Sequence, residues 1–187
     1  MRKNFKPNAW LLPAPVLIIG SYNEDGTANA MTAAWGAMSD YTQIFLALDF
    51  SHKTAANILK RKAFTVSVVD ANHVKEADYV GMVSGNDICD KVENAELHVI
   101  KSKHVDAPYF SEFPMTFECR VAQVDMEKER VFGDIINISV EEHVLDEQGQ
   151  IDRNKLNPIC IDSVSGTYCK VTEAIGKSFH EGTVFKK

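Results

Sequence analysis

The sequence predicts a mainly β (α+β) protein, a closed or partly closed β-barrel with helices packed outside it. Short runs of alternating or β-branched apolar residues follow one another closely, whereas only two segments have the periodicity of a helix. Strands and helices do not alternate strictly, which argues against a doubly wound parallel sheet. At 187 residues the chain has the length of one domain, and we expect a single domain over residues 1–187.

The first half of the chain contains four predicted strands. Residues 16–21 are aliphatic and β-branched, and a turn at 23–26 joins them to a second strand of small residues over 27–35. Residues 44–48 predict a third strand that is buried on both faces. The clean alternation of residues 64–69 predicts a fourth strand.

Two helices are predicted beside these strands. The first covers about 52–61, with Ser51 as its N-cap and apolar residues at helical spacing. The second covers about 73–83 and ends near Gly85, a residue type that often follows the last turn of a helix.

The second half of the chain is predicted to be mostly strand. A short strand covers 97–100, and two long strands over 115–124 and 130–140 flank a polar turn at 127–129. From residue 155 onward we expect a mixture of short segments.

Charge and hydropathy exclude several classes of function. The net charge of −6 argues against a nucleic-acid or anionic-membrane partner. No stretch approaches the roughly 20 apolar residues that span a bilayer, and Pro13 and Pro15 interrupt the one run that resembles a signal peptide. The four cysteines and six histidines lack metal-ligand spacing. We therefore expect a cytoplasmic protein with reduced cysteines and no metal.

The junction between the third strand and the first helix is the densest candidate site. A helix N-terminus offers unpaired N–H groups to an anion, and this one adds hydroxyls and a lysine. A cation is unfavourable in the first helical turn, and its presence strengthens the hypothesis of a phosphate ligand; an ordinary cap with an exposed lysine and histidine remains the alternative. The candidate residues are Asp49, Phe50, Ser51, His52, Lys53 and Thr54.

Two further segments are weaker candidates. A strand of small residues leaves its backbone open to a flat ligand, although the sequence alone favours a tightly packed hairpin whose alanines face a helix. The candidates in this strand are Met31, Thr32, Ala33, Ala34 and Trp35. A glycine-ended turn after the second helix is able to close over a ligand, although a helix cap and a solvated charge pair explain it too. Its candidates are Ser84, Gly85 and Lys91.

No nucleophile–base arrangement is visible, so we assign no catalytic side chain. There is no G-x-S-x-G motif, and neither Cys89 nor Cys160 lies in a recognisable signature. An enzyme of this kind leaves its chemistry to a cofactor.

The order of these motifs resembles the flavin reductase-like, FMN-binding split-barrel family, and more closely its flavoredoxin branch. The resemblance covers nearly the whole chain, although residues 40–43 stand where many relatives have a proline pair. The motifs that carry it are NAMTAAW (29–35), SHKTAANI (51–58), FTVS (64–67), DYVG (78–81), SG (84–85), DK (90–91), GTY (166–168) and IGK (175–177).

This resemblance implies a Greek-key split β-barrel, a homodimer and one FMN per subunit near the dimer interface. Residues 32–35 would lie along the flavin ring. Ser51, Lys53 and Thr54 would hold the phosphate, with residues 49 and 50 in the approach loop. Ser84, Gly85 and Lys91 would complete the site, from the same subunit or from its partner.

Three functions remain open from the sequence. The first is an FMN oxidoreductase that takes hydride from NADH or NADPH and reduces an acceptor. The second is a flavoredoxin-type electron carrier that is reduced by a redox protein and does not react with a nicotinamide. The third is a module that binds another planar phosphate, such as a pyridoxal derivative.

Overall fold

The computed structural model describes residues 1–171 and 173–186. Its strands are β1 (Ala14–Pro15), β2 (Leu17–Tyr22), β3 (Ala28–Ala33), β4 (Gly36–Asp40), β5 (Gln43–Ala47), β6 (Ala63–Val68), β7 (Val99–Lys101), β8 (Pro108–Phe110), β9 (Met115–Asp125), β10 (Arg130–Val140), β11 (Ile159–Asp162) and β12 (Thr167–Lys170). Its α-helices are α1 (Lys53–Arg61), α2 (Val74–Met82), α3 (Lys91–Asn94) and α4 (Arg153–Leu156). Two short 3₁₀ helices cover Glu142–Val144 and Glu181–Phe185.

Seven strands form one antiparallel sheet that curls into a split barrel. Their order is β3-β2-β6-β9-β10-β5-β4, so β3 and β4 are the two edges. The pairing of the long strands β9 and β10 shifts register at Phe132/Gly133 and at Ile135/Asn137. Such irregularities increase the local twist and curl of a sheet. The predicted mainly β barrel with flanking helices is confirmed.

The sheet is covered on both faces. Ile18 and Ile19 are both fully buried but belong to different apolar clusters, because successive side chains of a strand point to opposite faces. The cluster around Ile19 fills the curl of the sheet and includes Phe64 and residues of α1. The cluster around Ile18 packs α2 against β2 and β3. Both helices are thus fixed on the sheet near β3.

Three local predictions are wrong. The predicted strand over 27–35 ends at Ala33, and β4 starts after a break at Ala34 and Trp35. Ser51 is not the N-cap of α1: the cap is His52, and the Ser51 amide donates instead to Asp49 Oδ1 over 2.8 Å.

Gly85 is not the C-cap of α2 either, because that helix ends at Met82 and its C-cap is Val83, whose backbone is extended. The short elements β8 and α3 were not predicted. The strand predicted over 97–100 is found at Val99–Lys101.

Within the part of the chain that the structure describes, none of the helices has the length and hydropathy needed to cross a membrane.

Candidate functional site

A pocket of about 140 Å³ lies between β3, the N-terminus of α1, the end of α2 and the start of α3. All three candidate segments of the sequence contribute to its lining, although they are far apart along the chain. The predicted residues that line it are Met31, His52, Lys53, Thr54, Ser84, Gly85 and Lys91. All of them belong to one chain, so Ser84, Gly85 and Lys91 reach Lys53 without a partner subunit.

The N-terminus of α1 opens into this pocket with its amide donors free. The first N–H groups of a helix have no partner within the helix. Among the described residues no side chain caps α1, and its first turn contains no acidic residue. Asp49, the nearest carboxylate before the helix, accepts from Ser51 instead, and this hydrogen bonding holds the pKa of Asp49 below its ordinary value. The helix end is therefore suited to an anion.

Thr54 presents a hydroxyl that is already oriented. Its side chain is only 2% exposed, and its Oγ1 accepts a hydrogen bond of 2.7 Å from Asn29 Nδ2. Because the oxygen is held as an acceptor, its hydrogen remains available to a ligand. Asn29 also contacts Ser21 Oγ at 3.4 Å, and Asn57 Nδ2 donates to the same oxygen at 3.1 Å. This buried polar network fixes the floor below α1.

Gly85 allows the loop after α2 to approach α1 closely. A Cβ at this position would overlap Asn29 Oδ1 and would lie 3.2 Å from Lys53 Cβ. The loop is also tied down by Asn86, whose Nδ2 donates to the Ser51 carbonyl over 3.0 Å. The absent side chain of Gly85 thus serves close packing beside the pocket.

Lys91 is a buried cation at the back of the pocket. It is 3% exposed, and its Nζ donates to the carbonyls of Val80 at 3.1 Å and Val83 at 3.0 Å. Burial lowers its pKa to about 8. An ammonium group has three N–H donors, so one is left after these two bonds. A bound anion would use that donor and would favour the charged form of Lys91.

The other predicted residues lie outside the pocket lining. Thr32 donates its hydroxyl to the Ala77 carbonyl of α2, and the side chain of Ala33 is buried in the core. Trp35 is 64% exposed and, with Ala34, borders a separate cavity of about 540 Å³ beside the N-terminal segment. Whether these residues contact a ligand through their backbone stays a prediction.

The approach loop before α1 is held by the turn between β9 and β10. The Phe50 amide donates to Glu129 Oε1 over 3.1 Å, and the Leu48 amide donates to the Glu129 carbonyl over 3.0 Å. Asp49, Phe50 and Ser51 therefore position α1 rather than line the pocket. Their contact with a ligand also stays a prediction.

Sequence reasoning included Asn29 and the end of α2 in its candidate segments but assigned no role to Asn29, Val80 or Val83. Asn29 gave one signal, a polar residue that alternates with small residues in a strand, which is a frequent sign of a buried hydrogen-bonded side chain. The carbonyls of Val80 and Val83 gave none, because backbone groups carry no sequence signal.

The fold and the pocket together define a split barrel whose pocket opens at an uncapped helix N-terminus. The family model described as "Flavin reductase like domain" matches residues 10–159, and the chain belongs to this family. Within it, the chain falls in the flavoredoxin branch.

Solved structures agree with this assignment. The flavoredoxin of Desulfovibrio vulgaris (Miyazaki F) is 33% identical, with a TM-score of 0.92 over 97% of this chain and 100% of that chain. The flavoredoxin of Methanosarcina acetivorans is 25% identical, with a TM-score of 0.88 over 99% and 100% of the two chains. An FMN-binding domain of a flavin reductase-like enzyme from Shewanella baltica shares the fold at 16% identity, with a TM-score of 0.77 over 88% and 89%.

Proposed function

We propose that this protein is an FMN-dependent oxidoreductase of flavin reductase type, which moves hydride from NADH or NADPH through FMN to an acceptor. The observation that carries the proposal is the uncapped N-terminus of α1, which opens with Lys53 and Lys91 into one pocket beside an edge strand. Such a site fits the dianionic phosphate of FMN and would be a poor environment for a neutral group.

The pocket volume indicates that only one end of FMN would enter the pocket. About 140 Å³ is small beside the roughly 300–1,000 Å³ of pockets that enclose whole ligands. It therefore fits the phosphate end alone, and the ring would rest outside it. The outer edge of β3 is the adjacent surface, because β3 ends the seven-stranded sheet and Met31 borders the pocket. This supports a flavin ring lying along β3, whereas the predicted contacts of Ala34 and Trp35, which border another cavity, stay a prediction.

In this proposal, bound FMN supplies reversible two-electron chemistry, and the chain supplies binding and orientation. The amides of α1, Lys53 and Lys91 would hold the phosphate, while Thr54 would donate its free hydroxyl hydrogen. Holding donor and acceptor rings in contact removes up to roughly 7–11 kcal/mol of barrier in well-oriented systems. No catalytic side chain is required.

The second candidate is a flavoredoxin-type carrier that takes electrons from a redox protein and does not react with a nicotinamide. Its support is the 33% identity to a flavoredoxin over 97% of this chain. Both candidates need the same FMN site, so they differ only in the electron donor. For either we propose a cytoplasmic setting, because all four cysteines are free thiols.

Anaerobic stopped-flow mixing with NADH and with NADPH tests the proposal. We expect the flavin absorbance near 450 nm, a rough value for flavins, to bleach with at least one nicotinamide. No bleaching with either, in protein whose flavin is reduced by dithionite, would overturn the reductase and leave the carrier. A spectrum without flavin bands after incubation with FMN would overturn both and favour another planar phosphate.

We also propose that the protein is a homodimer. The edge strand β4 and the turn after it expose Met38 and Tyr41, and the C-terminal segment exposes Ile175 and Phe179. In a homodimer, contact with the second copy of the chain would cover such exposed apolar side chains. Light scattering during gel filtration should give about twice the chain mass of 20.8 kDa, and a monomer at micromolar concentration would contradict the proposal.

A further inference from the structure

Two cysteines face each other in the C-terminal hairpin. Cys160 of β11 and Cys169 of β12 are direct partners in the antiparallel register, and Cys160 Sγ lies 3.5 Å from the Cys169 carbonyl oxygen. Two residues further along, the Val171 amide donates to the Pro158 carbonyl over 2.9 Å. Hydrogen-bonded and non-hydrogen-bonded positions alternate along an antiparallel pair of strands, so Cys160 and Cys169 occupy a position whose backbones are hydrogen-bonded. The Cα atoms of such a pair are about 5.5 Å apart, inside the roughly 4.4–6.8 Å range of disulfides.

The two thiols differ in their surroundings. Cys169 is exposed, whereas Cys160 is partly buried. Burial, with a smaller contribution from Cys169, raises the pKa of Cys160. A thiol reacts as its thiolate, so Cys169 meets and attacks a reagent first, and Cys160 acts second.

The other two cysteines do not share this arrangement. Cys119 is fully buried in the barrel, and burial raises its pKa to about 12. Cys89 is exposed beside a different groove, near His98 and Glu93. The hairpin therefore holds the one facing pair of thiols among the described residues.

We propose that Cys160 and Cys169 are a reversible oxidation site that exchanges with a low-molecular-weight disulfide of the glutathione type. The Cys169 thiolate attacks one sulfur of the reagent, forms a mixed disulfide and releases one reduced thiol. The Cys160 thiolate then attacks the Cys169 sulfur, forms the Cys160–Cys169 bond and releases the second reduced thiol. Two protein thiols are oxidised by two electrons, and one reagent disulfide is reduced to two thiols.

The hairpin geometry makes the bond easy to reverse. Directly opposed Cβ atoms lie about 4.5–5.5 Å apart, and closer only in pairs without hydrogen bonds, whereas a disulfide holds them near 3.8 Å. Closing the bond must therefore draw the two strands inward, and strained, exposed disulfides are the readily reduced ones.

The hairpin is also linked to the helix beside the pocket. Tyr168 precedes Cys169 and donates its hydroxyl to Asp78 Oδ1 of α2 over 2.7 Å. The proposed oxidation site therefore lies on a hairpin that contacts α2.

Peptide mapping of the full chain tests this site. The Cys89→Ser variant removes the other exposed thiol and is treated with oxidised glutathione. We expect two thiols per chain to be lost, a Cys160–Cys169 linked peptide to appear, and dithiothreitol to restore both thiols. In Cys89→Ser/Cys160→Ser, the mixed disulfide on Cys169 should accumulate because no second thiol resolves it.

The order of reaction gives a second test. In Cys89→Ser/Cys169→Ser, modification of Cys160 should be at least about tenfold slower than that of Cys169 in the converse variant. A mixed disulfide that persists on Cys169 while Cys160 is intact would overturn the proposal. A Cys169–Cys169 bond between two chains, or equal rates for the two thiols, would also overturn it.

Discussion

The Lys53→Ala variant probes the phosphate site at the residue where the first turn of α1 meets the pocket. Lys53 is half-buried, lines the pocket and packs its stem beside Gly85. Alanine is the best helix former, so the change removes the ammonium group without weakening the helix. We expect the fold to be retained and FMN binding to weaken.

The size of the effect follows from the exposure of Lys53. A hydrogen bond to a charged group contributes roughly 1.5–3 kcal/mol, and solvent reduces this for a partly exposed side chain. We therefore expect a loss of about 1–2 kcal/mol, which raises the Kd for FMN about 5–30-fold. FMN binding should not be lost altogether, because the amide donors of α1 and the ammonium group of Lys91 remain.

Titration of FMN fluorescence gives the Kd, and circular dichroism reports the fold. Lys60→Ala is the matched control, because Lys60 lies on the same helix, pairs with Glu24 and does not line the pocket. An unchanged Kd in well-folded Lys53→Ala would refute the reasoning. An equal loss in Lys60→Ala would show that the overall charge of α1, and not a contact in the pocket, attracts the ligand.

Four further predictions concern the same pocket. Because the pKa of Lys91 is lowered to about 8 and phosphate binding favours its charged form, the Kd for FMN should rise between pH 7 and 9. Fluorescence titration should find this rise absent in Lys91→Met; a pH-independent Kd in the parent would contradict it. The same shift predicts, for the flavin-free protein, a free energy of unfolding that rises from about pH 8 towards 10.5, since the unfolded chain keeps the proton longer. Gly85→Ala should weaken FMN binding at least about tenfold, since its Cβ overlaps Asn29, whereas Gly182→Ala, with open space around it, should leave the Kd unchanged. Thr54→Val leaves Asn29 Nδ2 without its 2.7 Å acceptor and should cost about 1–3 kcal/mol of unfolding free energy in urea, whereas Thr54→Ser should retain most of it.

Local patterns predicted most of the barrel. The alternation of residues 64–69 corresponds to β6, and the two long runs around a polar turn correspond to β9 and β10. Alternation of apolar and polar residues identifies a strand through its two faces, and in β6 the polar face is buried as well. The short elements β8 and α3 were not predicted because they contain too few residues to show a period.

Errors at the helix ends came from competition between neighbouring groups. Ser51 was a reasonable cap, but Asp49 lies two residues before it and accepts its amide. Gly85 suggested a C-cap, yet its lack of a side chain serves a close approach to Asn29 and Lys53. The Asp49–Ser51 contact is local and accompanies a cap that starts one residue later, whereas the contacts of Gly85 are tertiary and cannot be predicted from residue spacing.

The site itself was predicted as three separate weak signals. Their meeting in one pocket is a result of the tertiary fold: α1 and α2 pack on opposite faces of the sheet, and the N-terminus of α1 and the end of α2 come together beside the edge strand β3. The sequence did not show which residues of each segment face inward. Thr32, for example, lies beside Met31 but is used to hold α2 through the Ala77 carbonyl.

The most direct test of the central claim compares FMN with riboflavin, which has the same ring and no phosphate. If α1, Lys53 and Lys91 hold a phosphate, FMN should bind at least about 100-fold more tightly, since two or more charge-assisted hydrogen bonds are lost with riboflavin. Isothermal titration calorimetry on the flavin-free protein measures both Kd values. Equal affinities, or no binding of either flavin, would contradict the account.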